Sequence, residues 1–297
     1  MGLLLTKQDE KLIQQWQQQQ KELDKPWRNF SWGQKEALKQ KLKNFSTSHE
    51  DVKDINILVA GQIGAGKSSF INSVDSAFQG RITSRALVNA ADGYSHSFTR
   101  ILKGFSIRCG KKTLPFIFKD IMGLEPEILA GSQTEDIINA LYGHVKDGYK
   151  FNQEQALGHN DQHYISDPNL SDQCFCLVYV IAADTVQFTD DRLIDKLRIV
   201  RQRISEKGIP QVIVMTKVDE ACPLVKNDLR KIYKCKKIKE KMELWSAKVG
   251  VPMSHIFPVK NYHDEIDTND DIDVLILKAI EQIVHIANDR LEDSESL

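Results

Sequence analysis

From residue 54 onward, apolar runs of strand length alternate with stretches whose apolar positions recur every three to four residues. The runs are INILVAG (55–61), TRILKGFSIR (99–108), LPFIFKD (114–120), CFCLVYVIA (174–182), QVIVMT (211–216) and HIFPVK (255–260). The helical stretches fall at 67–77, 133–143, 189–206, 236–248 and 271–289. This alternation predicts an α/β chain with a mostly parallel sheet flanked by helices.

Ahead of this block, residues 7–45 are helix-like. Leu12, Ile13, Trp16 and Leu23 share one spacing, Pro26 interrupts it, and a second stretch places Leu38, Leu42 and Phe45 on one stripe. Ser31 is the candidate cap of that second stretch. Two short helices with polar outer faces are expected, packed on the main domain. The polar STSHEDVKD (46–54) then divides an N-terminal helical segment, 1–50, from a main domain, 51–297. The stretch 144–172 has weak periodicity and many turn residues, so it reads as an insertion before the fourth strand.

Composition is that of an ordinary globular chain, with 41% hydrophobic and 27% charged residues. The formal net charge of -1 gives no general attraction to nucleic acid. Five cysteines form no even framework, and Cys174 and Cys176 fall within an apolar run, which suits core thiols in a reducing compartment. No apolar run reaches the ~18 residues that a membrane span needs, and membrane contact is not expected. MGLLLTKQDE is too short in its apolar part for a secretory signal. The same start matches a short acylation pattern at Gly2, and one acyl chain would anchor only weakly. His159, Asp161 and His163 in the insertion read as surface-loop residues, because no further metal ligands follow at a recognised spacing. The basic run 226–241 reads as a solvated helix face.

The chemistry concentrates at residues 61–69. Gly61-Gln-Ile63-Gly64-Ala65-Gly66-Lys67-Ser68 satisfies G-x-x-x-x-G-K-[ST], with a strand before it and a helix after it. Glycines allow the tight turn that aims successive N–H groups at phosphate oxygens, and the helix adds its positive end. Lys67 is the expected partner of the β- and γ-phosphates, Ser68 a ligand of Mg²⁺, and Ser69 a further phosphate contact.

Two later strand ends carry the rest. Asp120-x-x-Gly123 offers an acid for the Mg²⁺ shell and a backbone N–H for a γ-phosphate. Thr216-Lys217-Val218-Asp219 offers a carboxylate for guanine N1–H and the 2-amino group. Adenine would leave that carboxylate unpaired, which is expensive in a closed pocket. Lys217 would lie over the ring. Thr216 stands where the pattern usually has asparagine, and threonine makes fewer hydrogen bonds to the phosphate loop, so guanine selectivity with weaker affinity is expected. Val259-Lys260 follow the sixth strand, where a backbone N–H can meet guanine O6. Ser95, Ser97 and Thr99 precede the second strand. Thr99 is the foremost candidate for the switch hydroxyl on Mg²⁺, and a plain Ser/Thr-rich loop is an equal reading. Leu124 follows Gly123, where efficient small GTPases place a water-orienting glutamine. No arginine finger is assignable among Arg81, Arg85 and Arg100. Slow or absent intrinsic hydrolysis is expected, and a helper protein or a homodimer through the nucleotide face would have to supply the missing group.

INILVAGQIGAGKSSFINSV, FSIRCG, LPFIFKDIMGL, YKFN, FPVKNY and DVLILKAI together resemble the interferon-induced protein 44 family, including its 44-like branch, over about residues 27–292. The resemblance implies a P-loop, small-GTPase-like fold, GTP or GDP as ligand with Mg²⁺, a cytoplasmic location and a part in innate antiviral responses through protein partners that it does not name. Longer members of that family carry a further N-terminal TLDc domain, whose function is not carried over. The phosphate loop is also similar to that of the immunity-related GTPases, which makes an assembly-stimulated GTPase the second reading. A scaffold that binds no nucleotide is the third.

Overall fold

The structure, a computed structural model, describes residues 21–86, 101–121, 123–124, 130–152, 154–185 and 189–294. In chain order these form α1 (Lys35–Lys43), β1 (Ile55–Ala60), α2 (Lys67–Gln79), β2 (Lys103–Cys109), β3 (Lys112–Asp120), α3 (Ala130–Leu141), β4 (Cys174–Ala182), α4 (Asp191–Ser205), β5 (Gln211–Thr216), α5 (Val218–Ala221), α6 (Pro223–Asn227), α7 (Lys236–Val249), β6 (Ile256–Pro258) and α8 (Asp270–Asp293). Short 3-10 turns lie at Leu170–Asp172, Leu229–Lys234 and Met253–His255.

The strands form one sheet in the order β2-β3-β1-β4-β5-β6. Only the β2–β3 pair is antiparallel; β1 pairs in parallel with β3 and β4, and β5 in parallel with β4 and β6. β1, β4 and β5 are buried at every position, as central strands covered on both faces must be. β3 alternates buried and half-buried positions nearer the sheet edge. Side chains of alternate strand residues go to opposite faces. Leu58, Leu177, Tyr179 and Met215 meet Ile137, Leu141, Leu197 and Trp245 of α3, α4 and α7. Val59, Val178, Val180 and Val214 meet Phe70, Val74, Ile276 and Ile280 of α2 and α8.

The N-terminal segment packs on this frame. Leu38 and Leu42 of α1 join the core under α8, and Lys41 pairs with Glu281 at 3.1 Å. Its first turn is preceded by Gln34 without a side-chain cap, so Ser31 is not the cap the spacing suggested. Before α1 the chain runs as a strap of bends along the surface: the Leu23 and Trp27 N–H groups donate to Lys234 O (2.8 Å) and Tyr233 O (3.0 Å). The Arg28 guanidinium donates to Met253 O (2.6 Å) and Ile256 O (2.9 Å) and lies over the rings of Trp27 and Tyr233. The first helical stretch expected from sequence falls mainly in residues outside those described.

Two further expectations change. The basic run 226–241 is not one solvated helix face. It is broken into the end of α6, a 3-10 turn and the start of α7, with Ile232, Tyr233, Cys235 and Ile238 buried, because apolar residues interrupt the charges. The strand expected at 99–108 starts at Lys103, Ile101 making only an isolated bridge to Lys150. In the stretch 144–172, Val145, Tyr149, Phe151 and Leu157 are buried against α3. His163 bonds Asp161 (3.0 Å), His159 packs edge-on to Tyr164, and no cluster of three or more metal-ligating side chains occurs among the described residues. Among the described residues no helix is long and apolar enough to cross a membrane.

One buried carboxyl joins α3 to this stretch. Asp136 Oδ1 accepts the Leu157 N–H at 2.8 Å. Burial pushes its pKa up from 3.8 to about 7, with the Leu157 N–H opposing the shift. A raised folded-state pKa favours the neutral acid. The associated stability is therefore full below pH 3.8 and is lost as pH rises to about 7. Asp136→Asn keeps the acceptor without the charge. The stability of the native chain relative to this variant should fall through that window, by up to about 1.4 kcal/mol per pH unit, and level off above it. Urea titrations at a series of pH values measure this, and a pH-independent difference would show that Asp136 ionises normally.

Candidate functional site

The carboxyl ends of β1, β3 and β5 meet on one edge of the sheet, where open α/β folds place ligands. β1 delivers the chain to Gly61, whose φ is +148°. A Cβ there would stand 2.1 Å from the Val180 carbonyl oxygen on β4, so only glycine fits. Gly64 and Gly66 take left-handed φ values of +73° and +89°, and the Ala65 N–H closes the turn on Gln62 O at 3.2 Å. α2 then starts at Lys67, with Phe70 N donating to Gly66 O at 2.8 Å and no side chain capping its first turn. Its leading N–H groups, including those of Ser68 and Ser69, thus form a helix terminus suited to anions.

Lys67 is buried inside this turn. Its Nζ donates to Gly61 O (3.0 Å) and Gln62 O (3.2 Å), two of the three donors an ammonium carries. Burial lowers its pKa, and the Asp120 charge opposes that shift. The β1–β3 register sets Val59 against Asp120. Ser68 Oγ donates to Asp120 Oδ2 at 3.1 Å, so hydroxyl and carboxylate share one point beside the phosphate loop. The next residues follow that loop closely: Leu124 N donates to Gly61 O at 2.9 Å, and a Cβ on Gly123 would meet Ile63 Cγ1 at 2.6 Å. The Leu124 side chain is 2% exposed and lies in the core. Arg85 is engaged by Asp75 (3.3 Å) and Ser106 O (2.6 Å), while Arg81 donates to its neighbour Ile82 O (3.4 Å). Thr99, Ser95, Ser97 and Arg100 lie outside the described residues.

The end of β5 is fastened to the same loop. Thr216 is fully buried, and its hydroxyl donates to Ala65 O at 2.6 Å, with Ile181 O a longer 3.3 Å away. Lys217 has φ +56°, the only non-glycine residue with positive φ among the described residues. Such backbone clusters at working sites. It starts α5, whose first turn carries Asp219. Asp219 Oδ2 lies 3.9 Å from Lys260 Nζ, which pairs more closely with Glu265 (2.7 Å). The Val259 N–H donates to Met215 O at 2.8 Å and extends the sheet, so it is committed to the backbone ladder.

Sequence reasoning passed over three residues here. Asn261 Nδ2 donates to Gly66 O at 3.1 Å, and a Cβ on Gly66 would crowd that amide at 2.9 Å. The Tyr262 N–H donates to Ser73 Oγ (2.9 Å), which donates to Ser69 O (2.7 Å). Threonine at 216 supplies one donor where asparagine would supply two, and Asn261 adds an amide to the same turn from the neighbouring loop. That shortfall at Thr216 was the available signal. The Tyr262 hydroxyl donates to Asp273 Oδ1 at 2.6 Å, and Asp273 Oδ2 meets Lys35 of α1 at 2.7 Å.

Buried Gly61 and exposed Gly64 separate crowding from strain. Gly61→Ala should lower stability by about 3 kcal/mol or more, because a fixed backbone carbonyl must move. Gly64→Ala, with open space around its Cβ position, should lower it by about 1 kcal/mol from φ alone. Chemical denaturation of both variants gives the comparison, and equal losses would mean that the β4 contact relaxes freely.

No protein-family model matches the chain. Among solved structures, it is similar to a probable GTP-binding protein engB, at 14% identity and TM-score 0.43, covering 79% of this chain and 99% of that one. It is also similar to Toc33 from Arabidopsis thaliana in complex with Mg²⁺ and GMPPNP, at 18% identity and TM-score 0.48, covering 86% and 91%. Curated relatives are much nearer in sequence. Interferon-induced protein 44 of Homo sapiens is 36% identical over 262 residues, which cover 87% of this chain and 58% of that protein. The Mus musculus protein is 34% identical, with coverage of 86% and 60%, and interferon-induced protein 44-like of Homo sapiens is 30% identical, with 85% and 56%. The chain therefore spans less than two thirds of the length of the curated relatives it matches. Through the region they share, it is similar to members of the interferon-induced protein 44 family.

Proposed function

We propose that this chain is a guanine-nucleotide-binding protein that binds GTP or GDP with Mg²⁺, hydrolyses GTP slowly or not at all, and acts as a switch through protein partners. The observation that carries this reading is the 2.6 Å hydrogen bond from Thr216 to Ala65 O, which fastens the Asp219 loop to the phosphate loop. A phosphate cradle alone would suit any nucleotide. A cradle joined to an acid at the next loop suits one whose base presents two donors. The residues present fit the metal as well: Ser68 and Asp120 already converge at 3.1 Å, and they would hold Mg²⁺, which neutralises phosphate charge.

Each chain residue then has a defined task. The N–H groups of 63–69 would bind phosphate oxygens, and Lys67 would turn from the Gly61 and Gln62 carbonyls to them. Asp219 would select guanine, the Lys217 stem would cover the ring, and the Lys260 N–H would meet O6. Slow turnover follows from Leu124, a buried apolar side chain that cannot orient water. The names of the relatives support an interferon-induced protein; a part in innate antiviral responses is our reading of that induction, and a cytoplasmic setting accords with five free cysteines.

Calorimetric titration with GTP, GDP and ATP, each with Mg²⁺, tests the ligand. Guanine nucleotides should bind at least about 100-fold more tightly than ATP, since adenine leaves the Asp219 carboxylate without its donors. Lys67→Ala and Asp219→Ala should each abolish the preference or the binding. Absence of guanine-nucleotide binding, with Lys67→Ala silent, would leave a nucleotide-independent scaffold. Turnover that climbs steeply with protein concentration would instead favour an assembly-stimulated GTPase, with the missing group supplied by a second copy.

Hydrolysis gives a separate expectation. Leu124→Gln should not raise GTP turnover, because position 124 faces the core. It should instead lower stability by about 2 kcal/mol through burial of an amide. A turnover gain of tenfold or more would mean that this side chain reaches the phosphates.

A further inference from the structure

Cys222 and Cys235 begin two successive helices, α6 and α7. They are thirteen positions apart in sequence, yet their Sγ atoms lie 2.9 Å from each other. Both thiols are free and buried. Backbone N–H groups of Val225 and Leu224 face one sulfur, and those of Ile238 and Lys237 face the other. The hydrogen bond between the two thiols, in which either sulfur can donate, holds Cys222 well below the usual thiol range, aided by the Val225 and Leu224 N–H groups and the Lys237 charge. Cys235 is held up by the same hydrogen bond. One proton shared between two touching sulfurs is the arrangement of a nucleophilic thiolate and its resolving partner. The other buried pair differs. Cys174 and Cys176 lie within β4, where burial pushes the Cys174 thiol up to about 11 and raises that of Cys176 as well.

We propose that Cys222 and Cys235 form a thiol-oxidation site that closes into a reversible disulfide when a small hydroperoxide reaches it. The Cys222 thiolate attacks the distal peroxide oxygen; an S–O bond forms, the O–O bond breaks, and the remaining oxygen leaves as water or an alcohol after taking a proton. Cys235 sulfur then attacks the sulfenic sulfur. The S–S bond forms, the S–O bond breaks, and hydroxide leaves as water with the Cys235 proton. Two thiols lose two electrons and the peroxide gains them. An external dithiol restores the pair by exchange. The bond would tie the residue after α5, the helix that carries Asp219, to the start of α7 and to Glu22 of the strap, which bridges to Cys235.

Peptide mapping of the full chain tests this. The reduced protein is treated with hydrogen peroxide, remaining thiols are alkylated under denaturing conditions, and a tryptic digest is analysed without reductant. Lys226, Arg230, Lys231 and Lys234 separate the two cysteines, so a bond between them joins two peptides. The expected product is that joined pair, two hydrogens lighter than its parts, increasing with peroxide and lost with dithiothreitol, while Cys109, Cys174 and Cys176 stay alkylated. Cys235→Ser should remove the joined pair and leave a Cys222 sulfenic acid that dimedone traps. If that variant does not fold, the native-chain map decides alone. Full alkylation of both cysteines after peroxide, separate oxidation to sulfinic or sulfonic acids, or linkage to any other cysteine would each overturn the proposal.

Discussion

The position of β1 at the centre of the sheet is the constraint on which the other features rest. Its six residues, INILVA, are buried at every position, so both faces must be covered and both edges paired. Once β3 and β4 take those edges, register does the rest. Val59 stands beside Asp120, Ala60 beside Tyr179, and Ala182 beside Thr216 two strands away. Parallel strands in register end on the same side, so Asp120, the glycine-rich turn 61–66 and the Asp219 loop arrive together at one edge of the sheet.

Convergence alone would leave three loops side by side. Polar ties turn them into one unit. Thr216 holds Ala65, Asn261 holds Gly66, and Ser73 joins the turn of α2 to Tyr262. Thr216, Ser73 and Gly66 are poorly exposed or crowded, so leaving such groups without partners would be costly. The same logic fixes Gly61. The backbone passes so close to Val180 O that the side chain must be absent, and that closeness also aligns the turn for successive N–H groups.

The segment before β1 is continuous with this arrangement. α1 shares the core of α8, and Lys35 reaches Asp273, which receives the Tyr262 hydroxyl. Tyr262 in turn touches Ser73 on the phosphate-loop helix. A chain of side chains therefore connects the N-terminal helix to the glycine-rich turn and the start of α2. The strap ahead of it uses Arg28 on two carbonyls and two aromatic rings to close the side of the sheet near β6.

The sequence by itself determined the order of elements, the parallel character of the sheet and the phosphate loop, because each is written locally: in period-2 and period-3.6 patterns, and in glycines at fixed offsets from Lys67. It also marked Asp120 and Asp219, since acids that follow apolar runs stand at strand ends. Only the tertiary structure decided what those residues touch. That Asn261 adds to the role of Thr216, that the Val259 N–H belongs to the sheet, that Leu124 faces the core, that the basic run 226–241 is broken by buried residues, and that Cys222 meets Cys235 all depend on contacts between distant segments. Periodicity reports which side of an element is buried. It carries no record of the partner found there, because that partner is fixed by the register and packing of the whole chain.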